Sequence, residues 1–461
     1  MSDYSSSSDS DDGEKVRISL KLSASCNQHD LEVSSEPVAV PVDVTRRGLS
    51  AIINHLLDRK QAEPKEEDED DDSSKLPSLN FDFILGSSNK LLRTSVGREA
   101  RRQGHNFEQA ITITYFPSQP APEDQGESEP MPDWIGALSA VSGMVFAGCY
   151  DGSLQVLHEE TMEPLVPRVF SHTGAIKCIS SVARDDDSYY VATGSMDHSL
   201  SVQLYQDQAL QQVASCIEGH NAAISSADFG SSSQLASGDW GGELYLWNLN
   251  QDISEQATVK KAKKDKSSET ASHFRSLTPT GSMKAHSSQI TGIAWNSSDQ
   301  MITGSWDHSI KVWNVERQDC LLTLNSSRVV TCLDASRVSA ALATGHPDCT
   351  VRLWDVRTKS ETSSWSVSDN TFRPSHKAWV SAVQWFDAYQ LVTTSHDGMV
   401  KWWDIRSSLP LHSIRAFSKN KGLALSTTSS AIYVGGTDNR VKRLQIPQSG
   451  MDVHEKGIAK Q

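Results

Sequence analysis

Apolar and polar residues alternate in short segments along most of the chain after residue 133. QITGIAWN, QMITGSWD and SIKVWNV, between residues 289 and 315, alternate clearly and are rich in β-branched and aromatic residues. A period of two residues is typical of half-buried strands. The junction between the last two segments holds Asp307 and His308. The pattern therefore predicts short antiparallel strands separated by tight turns.

The segment around Asp307 recurs along the chain. Aligned on this aspartate, the seven copies lie at positions 151, 197, 241, 307, 348, 397 and 438, and position 241 is a glycine. One unit of a few short strands cannot bury both of its faces, whereas units arranged radially bury a continuous core. The repeats therefore predict a seven-bladed β-propeller over residues 133–448, which makes the chain mainly β.

Ser305, Asp307 and His308 supply the residue types of a hydrolytic triad within four positions. Such catalysis needs one activated serine beside a base, together with an oxyanion hole. Because the motif occurs in several copies, the repeats offer no unique serine. We therefore interpret the motif as architectural, and we expect neither an enzymatic activity nor a cofactor.

Residues 15–116 follow a different pattern. KVRISLKL and VAVPVDV alternate as strands do, and FDFIL, KLLRTS and ITITYF predict three further strands. RRGLSAIINHLLDR places its apolar residues on one helical face and follows Thr45, a residue type that caps helices. This order of elements predicts a small α+β domain of the ubiquitin-like type.

Charge is distributed unevenly along the chain, whose formal net charge is −15. The acidic tail 1–14 and the acidic loop 60–78 have the composition of solvated segments. Residues 117–132 read as a proline-rich acidic linker, and residues 449–461 as a C-terminal tail. The negative net charge argues against broad electrostatic binding of nucleic acid and leaves direct contact with RNA open.

The distance between the third and fourth copies is 66 residues, from 241 to 307. The excess falls at 252–276, which lacks apolar periodicity and predicts a long surface loop. Its basic cluster weakly matches a nuclear import signal, and a solvated charged loop is the alternative. The candidate import residues are Lys260, Lys261, Lys263 and Lys264.

Two classes of site receive no support from the residues. No apolar run approaches the ~18 residues that a membrane span needs. The seven cysteines form no zinc pattern with the histidines. We therefore expect no membrane association and no intrinsic metal site, and the unpaired cysteines favour the cytosol or nucleus.

The repeats resemble the WD-repeat family in their opening Gly-His or Ser-His, their turn aspartate and their closing Trp-Asp or Trp-Asn. The resemblance implies a buried hydrogen-bonded tetrad within a blade. In the fourth and sixth blades the tetrads would be His286, Ser305, Asp307 and Trp313, and His376, Ser395, Asp397 and Trp403. The second blade has Gln203 in place of the tryptophan, and the fifth has His346 in place of the serine.

The N-terminal residues resemble the ubiquitin-like NLE domain in PVDVTRRGLSAIINHLL, in FDFIL followed by LLRTS, and in an acidic residue just before ITITYF. An NLE domain followed by seven WD repeats resembles the WD-repeat subunits of the PeBoW ribosome-biogenesis complex. That resemblance implies a nuclear factor of the nucleolus and nucleoplasm. Its implied partners are Pescadillo, the block-of-proliferation protein, pre-60S ribosomal particles and the ATPase Midasin.

The same resemblance implies a role for Glu108, which would complete the coordination of a Mg²⁺ held by Midasin. Mg²⁺ accepts a monodentate carboxylate in place of a water. Glu99 is a weaker candidate for this contact. Two alternatives remain open from the sequence, namely a notchless-type factor, which also carries an NLE domain but resembles an eight-bladed protein, and a WD-repeat substrate receptor of a ubiquitin ligase.

Overall fold

A computed structural model describes residues 14–24, 26, 29–57, 78–86, 90–184, 188–216, 219–250, 275–339, 341–356, 371–372, 375–407 and 409–447. The chain divides into two compact units, Met1–Pro120 and Ala121–Gln448. The acidic tail, the acidic loop, the basic insert with its four lysines and the C-terminal tail lie outside the described residues, apart from one or two positions at their ends.

The first unit is a four-stranded sheet covered by helix α1 (Arg46–Leu56). The other elements are β1 (Lys15–Leu22), a 3-10 turn (His29–Leu31), β2 (Val38–Pro41), β3 (Phe81–Leu85), α2 (Val96–Arg102) and β4 (Ile111–Pro117). The strand order is β2-β1-β4-β3, and β1 and β4 run parallel. Leu49 and Ile53 of α1 are fully buried against the apolar face of this sheet.

Two local predictions for this unit are wrong. KLLRTS does not form a strand, because only Leu91 makes an isolated bridge, to Ile84. Thr45 stands at the N-cap of α1 in an extended conformation, but its side chain makes no capping hydrogen bond. The α+β class of the domain is confirmed.

The second unit consists of seven sheets, which are the blades. The first three are β6 (Ile135–Val141), β7 (Met144–Cys149), β8 (Ser153–His158) and β9 (Val169–Phe170); β10 (Ile176–Ala183), β11 (Tyr189–Ser195), β12 (Leu200–Gln206), β13 (Ala209–Cys216) and β17 (Arg275–Ser276); and β14 (Ile224–Phe229), β15 (Gln234–Asp239), β16 (Glu243–Asn248) and β18 (Gly281–Lys284).

The next three are β19 (Ile290–Trp295), β20 (Gln300–Ser305), β21 (Ser309–Asn314) and β22 (Asp319–Asn325); β23 (Cys332–Ala335), β24 (Ala341–Gly345), β25 (Val351–Asp355) and β26 (Thr371–Phe372); and β27 (Val380–Trp385), β28 (Gln390–Ser395), β29 (Met399–Asp404) and β30 (His412–Arg415). The seventh blade contains β31 (Gly422–Thr427), β32 (Ala431–Gly436), β33 (Val441–Gln445) and β5 (Glu123–Glu127).

The outer strand of the seventh blade comes from the opposite end of the unit. Residues 117–132 were predicted to be a linker, but β5 pairs antiparallel with β33. An acidic strand thereby lies against a basic one, and Glu127 forms ion pairs with Arg440 and Lys442. The linker prediction is therefore wrong for this segment, because the ring needs a strand from its N-terminal side to complete the last blade.

The hydrophobic core of the propeller lies between the blades. Among the described residues, each of seven apolar clusters joins two neighbouring blades. One of them joins the seventh blade to the first through Tyr433 and Ile135, and the amide of Ala140 donates to Ser426 Oγ across the same junction at 2.8 Å. The ring therefore closes with seven blades, which confirms the predicted seven-bladed β-propeller.

Candidate functional site

The fourth blade contains a continuous chain of buried hydrogen bonds. The indole of Trp313 donates to Thr303 Oγ1 at 2.8 Å. Thr303 Oγ1 lies 2.8 Å from His286 Nε2, and His286 Nδ1 lies 2.9 Å from Asp307 Oδ2. The hydroxyl therefore donates to Nε2, which leaves the proton on Nδ1 to bond the carboxylate. The chain runs from the strand pair β20–β21 to the loop that precedes β19.

Asp307 also fixes the turn in which it lies. Its Oδ1 accepts the amide and the hydroxyl of Ser309, at 3.0 and 2.6 Å, and its Oδ2 accepts the amide of Ser287 at 3.0 Å. Burial raises the pKa of Asp307, but the bonds from Ser309, Ser287 and His286 outweigh burial and lower it to about 2. Burial lowers the pKa of His286. The pair is therefore an anionic acceptor and a neutral ring near pH 7.

The sequence placed Ser305 in this chain, and that assignment is wrong. Ser305 Oγ donates instead to the carbonyl of Ser288 at 3.2 Å and accepts the amide of Asp307 at 3.1 Å. Thr303 and Ser305 lie on the same side of β20, since side chains alternate along a strand. Ser305 closes the turn by accepting the amide of Asp307. The imidazole of His286 bonds Thr303, which lies farther from the turn along the strand.

The sixth blade has the same arrangement and needs the same correction. His376 Nε2 lies 2.8 Å from Thr393 Oγ1, and Trp403 donates to that oxygen at 2.9 Å. His376 Nδ1 lies 3.2 Å from Asp397 Oδ2. Ser395, which the sequence had placed in the tetrad, donates to the carbonyl of Ala378 at 3.0 Å.

The third blade builds an equivalent chain without the usual turn aspartate. His220 Nδ1 lies 2.9 Å from Asp239 Oδ2, and His220 Nε2 lies 2.7 Å from Ser237 Oγ. Trp247 donates to Ser237 Oγ at 2.8 Å. Asp239 stands two residues before Gly241, at the position that Ser305 occupies in the fourth blade. The motif alignment does not predict this chain, because it places the carboxylate at position 241, which is a glycine.

In the fifth blade the histidine comes from the strand end rather than from the loop. His346 Nε2 lies 2.9 Å from Thr344 Oγ1, to which Trp354 donates at 2.8 Å. His346 Nδ1 lies 2.8 Å from the carbonyl of Val329. Burial, the largest cause, lowers the pKa of His346 to about 4.

In the second blade His172 Nε2 lies 2.9 Å from Thr193 Oγ1, and Gln203 stands at the tryptophan position.

The histidine, hydroxyl and carboxylate groups described above therefore bond one another or nearby backbone groups inside the blades. Thr303 and Ser305 are fully buried, and their hydroxyls already have partners. Within the described part of the chain, no group of three or more His, Cys, Asp or Glu residues could hold a metal ion. The geometry of these residues serves the fold rather than a reaction.

Glu108 has a very different environment. It lies in the turn between α2 and β4, and its side chain is exposed. Its amide donates to Asn106 Oδ1 at 3.1 Å, and Asn106 Nδ2 donates to Glu108 Oε2 at 3.3 Å. The next strand is anchored by the buried Ile111 and Ile113. The carboxylate is therefore displayed to solvent beside a rigid strand.

Glu99 is not available in the same way. Only 12% of its side chain is exposed, its Oε1 lies 3.2 Å from Arg102, and it accepts a hydrogen bond from Gln103 at 2.9 Å. Its carboxylate is already engaged on α2. Of the two candidate acidic residues, Glu108 is the one that an external cation can reach.

None of the helices in the described ranges is long and apolar enough to cross a membrane.

Comparisons with known sequences agree with this two-unit structure. The NLE (NUC135) domain family matches residues 18–98, and the WD domain, G-beta repeat family matches residues 165–202, 211–248 and 277–314. The nucleolar protein 10-like N-terminal domain family matches residues 321–428. The chain thus carries an NLE domain followed by WD40 repeats.

Full-length relatives cover almost the whole chain. The ribosome biogenesis protein WDR12 homolog of Chlamydomonas reinhardtii is 28% identical over 459 residues, which cover 93% of this chain and 98% of the relative. The proteins of the same name from Drosophila virilis and Arabidopsis thaliana are 27% and 28% identical, over 93% and 94% of this chain and 94% and 98% of the relatives. The similarity to these proteins extends over both units of the chain.

Proposed function

We propose that this chain is a non-enzymatic assembly factor for the large (60S) ribosomal subunit and for the maturation of its ribosomal RNAs. The observation that carries the proposal is the pairing of an NLE domain with a WD40 propeller, in a chain that aligns over 93% of its own length with a relative named for ribosome biogenesis. Action in the nucleolus and nucleoplasm follows from that role.

The propeller is the scaffold in this proposal. Its serine, histidine and aspartate residues of triad type are hydrogen-bonded within the turns and blades, so they are not available for a reaction on a substrate. What the propeller offers to other molecules is its rigid loop-bearing faces. The partners that we propose for these faces are Pescadillo and the block-of-proliferation protein, in a PeBoW-type complex, together with pre-60S particles.

The NLE domain would be the handle by which the ATPase Midasin removes the factor from pre-60S particles. A Mg²⁺ ion that a partner protein already binds through its own oxygen ligands can accept one more carboxylate oxygen from outside. An exposed carboxylate beside a rigid strand can supply that oxygen. Glu108 has that exposure, and Glu99 does not. The metal in this contact belongs to the partner.

Two alternative functions are less well supported. A notchless-type factor would be expected to have eight blades, whereas the ring described above closes with seven. A substrate receptor of a ubiquitin ligase would bring cullin subunits with it in a purification. The basic insert with Lys260, Lys261, Lys263 and Lys264 remains a proposed import signal and lies outside the described residues.

Affinity purification of the tagged full chain from nuclear extract, followed by mass spectrometry, tests the proposal. We expect Pescadillo, the block-of-proliferation protein and large-subunit precursors among the enriched proteins. Recovery of cullin subunits without these proteins would favour the ligase receptor. Recovery of neither group would overturn the assembly-factor proposal.

A further inference from the structure

One face of the propeller carries tryptophans at equivalent positions of the first and sixth blades, which flank the seventh. In blades one to four, six and seven, the carbonyl of the residue immediately before the first strand accepts the amide of the residue that follows the second strand. In the first blade this residue is Trp134, whose carbonyl accepts the amide of Tyr150 at 2.9 Å. In the sixth it is Trp379, which accepts the amide of His396 at 3.0 Å. These bonds fix two pairs of rings at the surface.

The rings of the first pair, Trp134 and Tyr150, are tilted by 55° to one another, whereas those of the second pair, Trp379 and His396, stack. The centroids of Trp134 and Tyr150 are 5.7 Å apart, and those of Trp379 and His396 are 6.3 Å apart with planes only 15° from parallel. Trp134 is 46% exposed and Trp379 is 47% exposed. The same backbone bond in the second, third and fourth blades goes to Ala175, Ala223 and Gln289, so those blades have no second ring there.

A lysine occupies the corresponding position of the blade between them. In the seventh blade the amide of Thr437 donates to the carbonyl of Lys421 at 3.1 Å, and the side chain of Lys421 is exposed. Consecutive blades six, seven and one therefore present tryptophan, lysine and tryptophan. Lys177, from the second blade, adds a further cation, since its Nζ lies 2.7 Å from the hydroxyl of Tyr150 and 4.8 Å from the ring centroid.

The charges around His396 act on its protonation. Burial, first, and then the positive charge of Lys421 lower the pKa of His396; Asp397 opposes this effect and Lys177 adds to it. His396 is therefore a neutral stacking surface near pH 7. Two neighbouring carboxylates are held by backbone amides, since Asp133 Oδ1 accepts the amide of Trp134 at 2.7 Å and Asp397 Oδ2 accepts the amide of Lys377 at 2.8 Å.

We propose that this rim, defined by Trp134, Tyr150, Lys177, Trp379, His396 and Lys421, binds single-stranded RNA. Exposed aromatic faces stack on unpaired bases of any sequence, and lysines between them pair with phosphates. An apolar protein segment would use the rings but not the cations between them, so the charge pattern favours a polyanion with planar groups. The proposal goes beyond the assembly-factor role, which concerns protein partners and the particle as a whole.

Fluorescence anisotropy with the full chain and a labelled 12-nucleotide oligouridylate RNA tests this inference. Trp134→Ala and Trp379→Ala should each weaken binding by about tenfold, as expected when one base loses its stacking partner. Lys421→Ala should weaken binding and reduce the slope of log affinity against log salt by about 0.7. The duplex form of the RNA should bind more weakly, because its bases are already stacked.

Trp306→Ala is the matched control, because Trp306 is 40% exposed on the same face but has Gln289 in place of a second ring. It should leave the RNA affinity within about twofold of the wild-type value. Melting curves of all variants establish that they are folded. Two results would overturn the proposal: no RNA binding by the wild-type chain, or unchanged RNA affinity in the rim variants, whether or not those variants lose a protein partner.

A last control separates the rim from the basic insert. A variant with Lys260, Lys261, Lys263 and Lys264 changed to alanine should retain RNA binding that still depends on Trp134 and Trp379. If this variant lost all RNA affinity, the insert and not the rim would be the binding element. The purification described for the assembly-factor proposal does not depend on either result, so the two proposals fail independently.

Discussion

The third and fourth blades build the same hydrogen-bonded chain from different sequence positions. In the fourth blade the carboxylate comes from the turn, at Asp307, whereas in the third it comes from the strand end, at Asp239, and Gly241 occupies the turn. The histidine, the hydroxyl and the indole keep their places in both. The comparison teaches that either of two positions can supply the carboxylate that bonds the imidazole; in the fifth blade a backbone carbonyl takes the place of that carboxylate.

The two carboxylates differ in burial, which gives the largest expected effect. The side chain of Asp239 is 1% exposed and that of Asp307 is 11% exposed. Asp239→Ala leaves the imidazole of His220 and the amide of Glu243 without an acceptor, and should lower the free energy of unfolding by about 3 kcal/mol. Asp307→Ala and Asp397→Ala should cost about 1–3 kcal/mol. Chemical denaturation measures the difference, and equal melting temperatures in wild type and variants would show that these groups are not buried acceptors.

The hydroxyl assignment in the fourth blade can be tested in the same way. Thr303→Val removes the group that bonds both Trp313 and His286 while keeping the shape of the side chain. It should lower the free energy of unfolding by about 2 kcal/mol, whereas Ser305→Ala should cost about 1 kcal/mol. Near-ultraviolet absorbance of the tryptophans reports loss of the indole bond. A larger effect from Ser305→Ala would restore the original sequence assignment.

Exchanging the two carboxylate positions sharpens the comparison. Asp239→Ser combined with Gly241→Asp gives the third blade the arrangement of the fourth. We expect the double variant to recover about 1–2 kcal/mol of the stability that Asp239→Ser alone loses. Gly241→Asp alone should be mildly destabilising, because a side chain there starts 3.1 Å from Asp239 Oδ1. Thermal melts of the three variants decide whether the positions are equivalent.

Asp228, a second carboxylate of the third blade, should make the free energy of unfolding depend on pH in the opposite direction from Asp307. Burial, only partly offset by the hydroxyl of Ser180, raises the pKa of Asp228 to about 6, whereas the pKa of Asp307 is lowered to about 2. Asp307 stabilises the fold above its unfolded pKa, and that contribution is lost as pH falls toward 2. Between about pH 4 and pH 6 the carboxyl of Asp228 is protonated in the folded chain and ionised in the unfolded chain. The free energy of unfolding therefore falls as pH rises through this range.

Asp228→Asn should therefore raise the free energy of unfolding by about 1 kcal/mol at pH 8 and have little effect at pH 4. Urea denaturation across this pH range is the measurement. A variant that is equally destabilised at both pH values would mean that the carboxylate of Asp228 is ionised throughout and serves as an acceptor.

The repeat period and the alternation of apolar residues were enough to predict the propeller and the blade number. They could not choose between Thr303 and Ser305, because both side chains lie on the same side of one strand and only the reach of His286 distinguishes them. They also missed β5, since all five of its residues are exposed and show no apolar alternation. Its strand conformation comes from pairing with β33, which is a tertiary contact.

The site on the NLE domain was predictable only in part. Glu108 and Glu99 are both acidic residues near β4, and the sequence favoured the first through a family resemblance. In the structure Arg102 and Gln103 bond the carboxylate of Glu99, whereas the side chain of Glu108 is exposed. Blade carboxylates are buried and bonded within the fold, and the proposed contact carboxylate is displayed to solvent.

Binding of the purified chain to Midasin, with Glu108→Gln beside Asp307→Ala, tests this division of roles most directly. Glu108→Gln should leave the melting temperature unchanged and abolish Midasin binding, since an amide of equal length carries no charge for the Mg²⁺. Asp307→Ala should lower the melting temperature and keep Midasin binding at temperatures where the chain is folded. Midasin binding that survives Glu108→Gln, or that is insensitive to EDTA, would contradict the account.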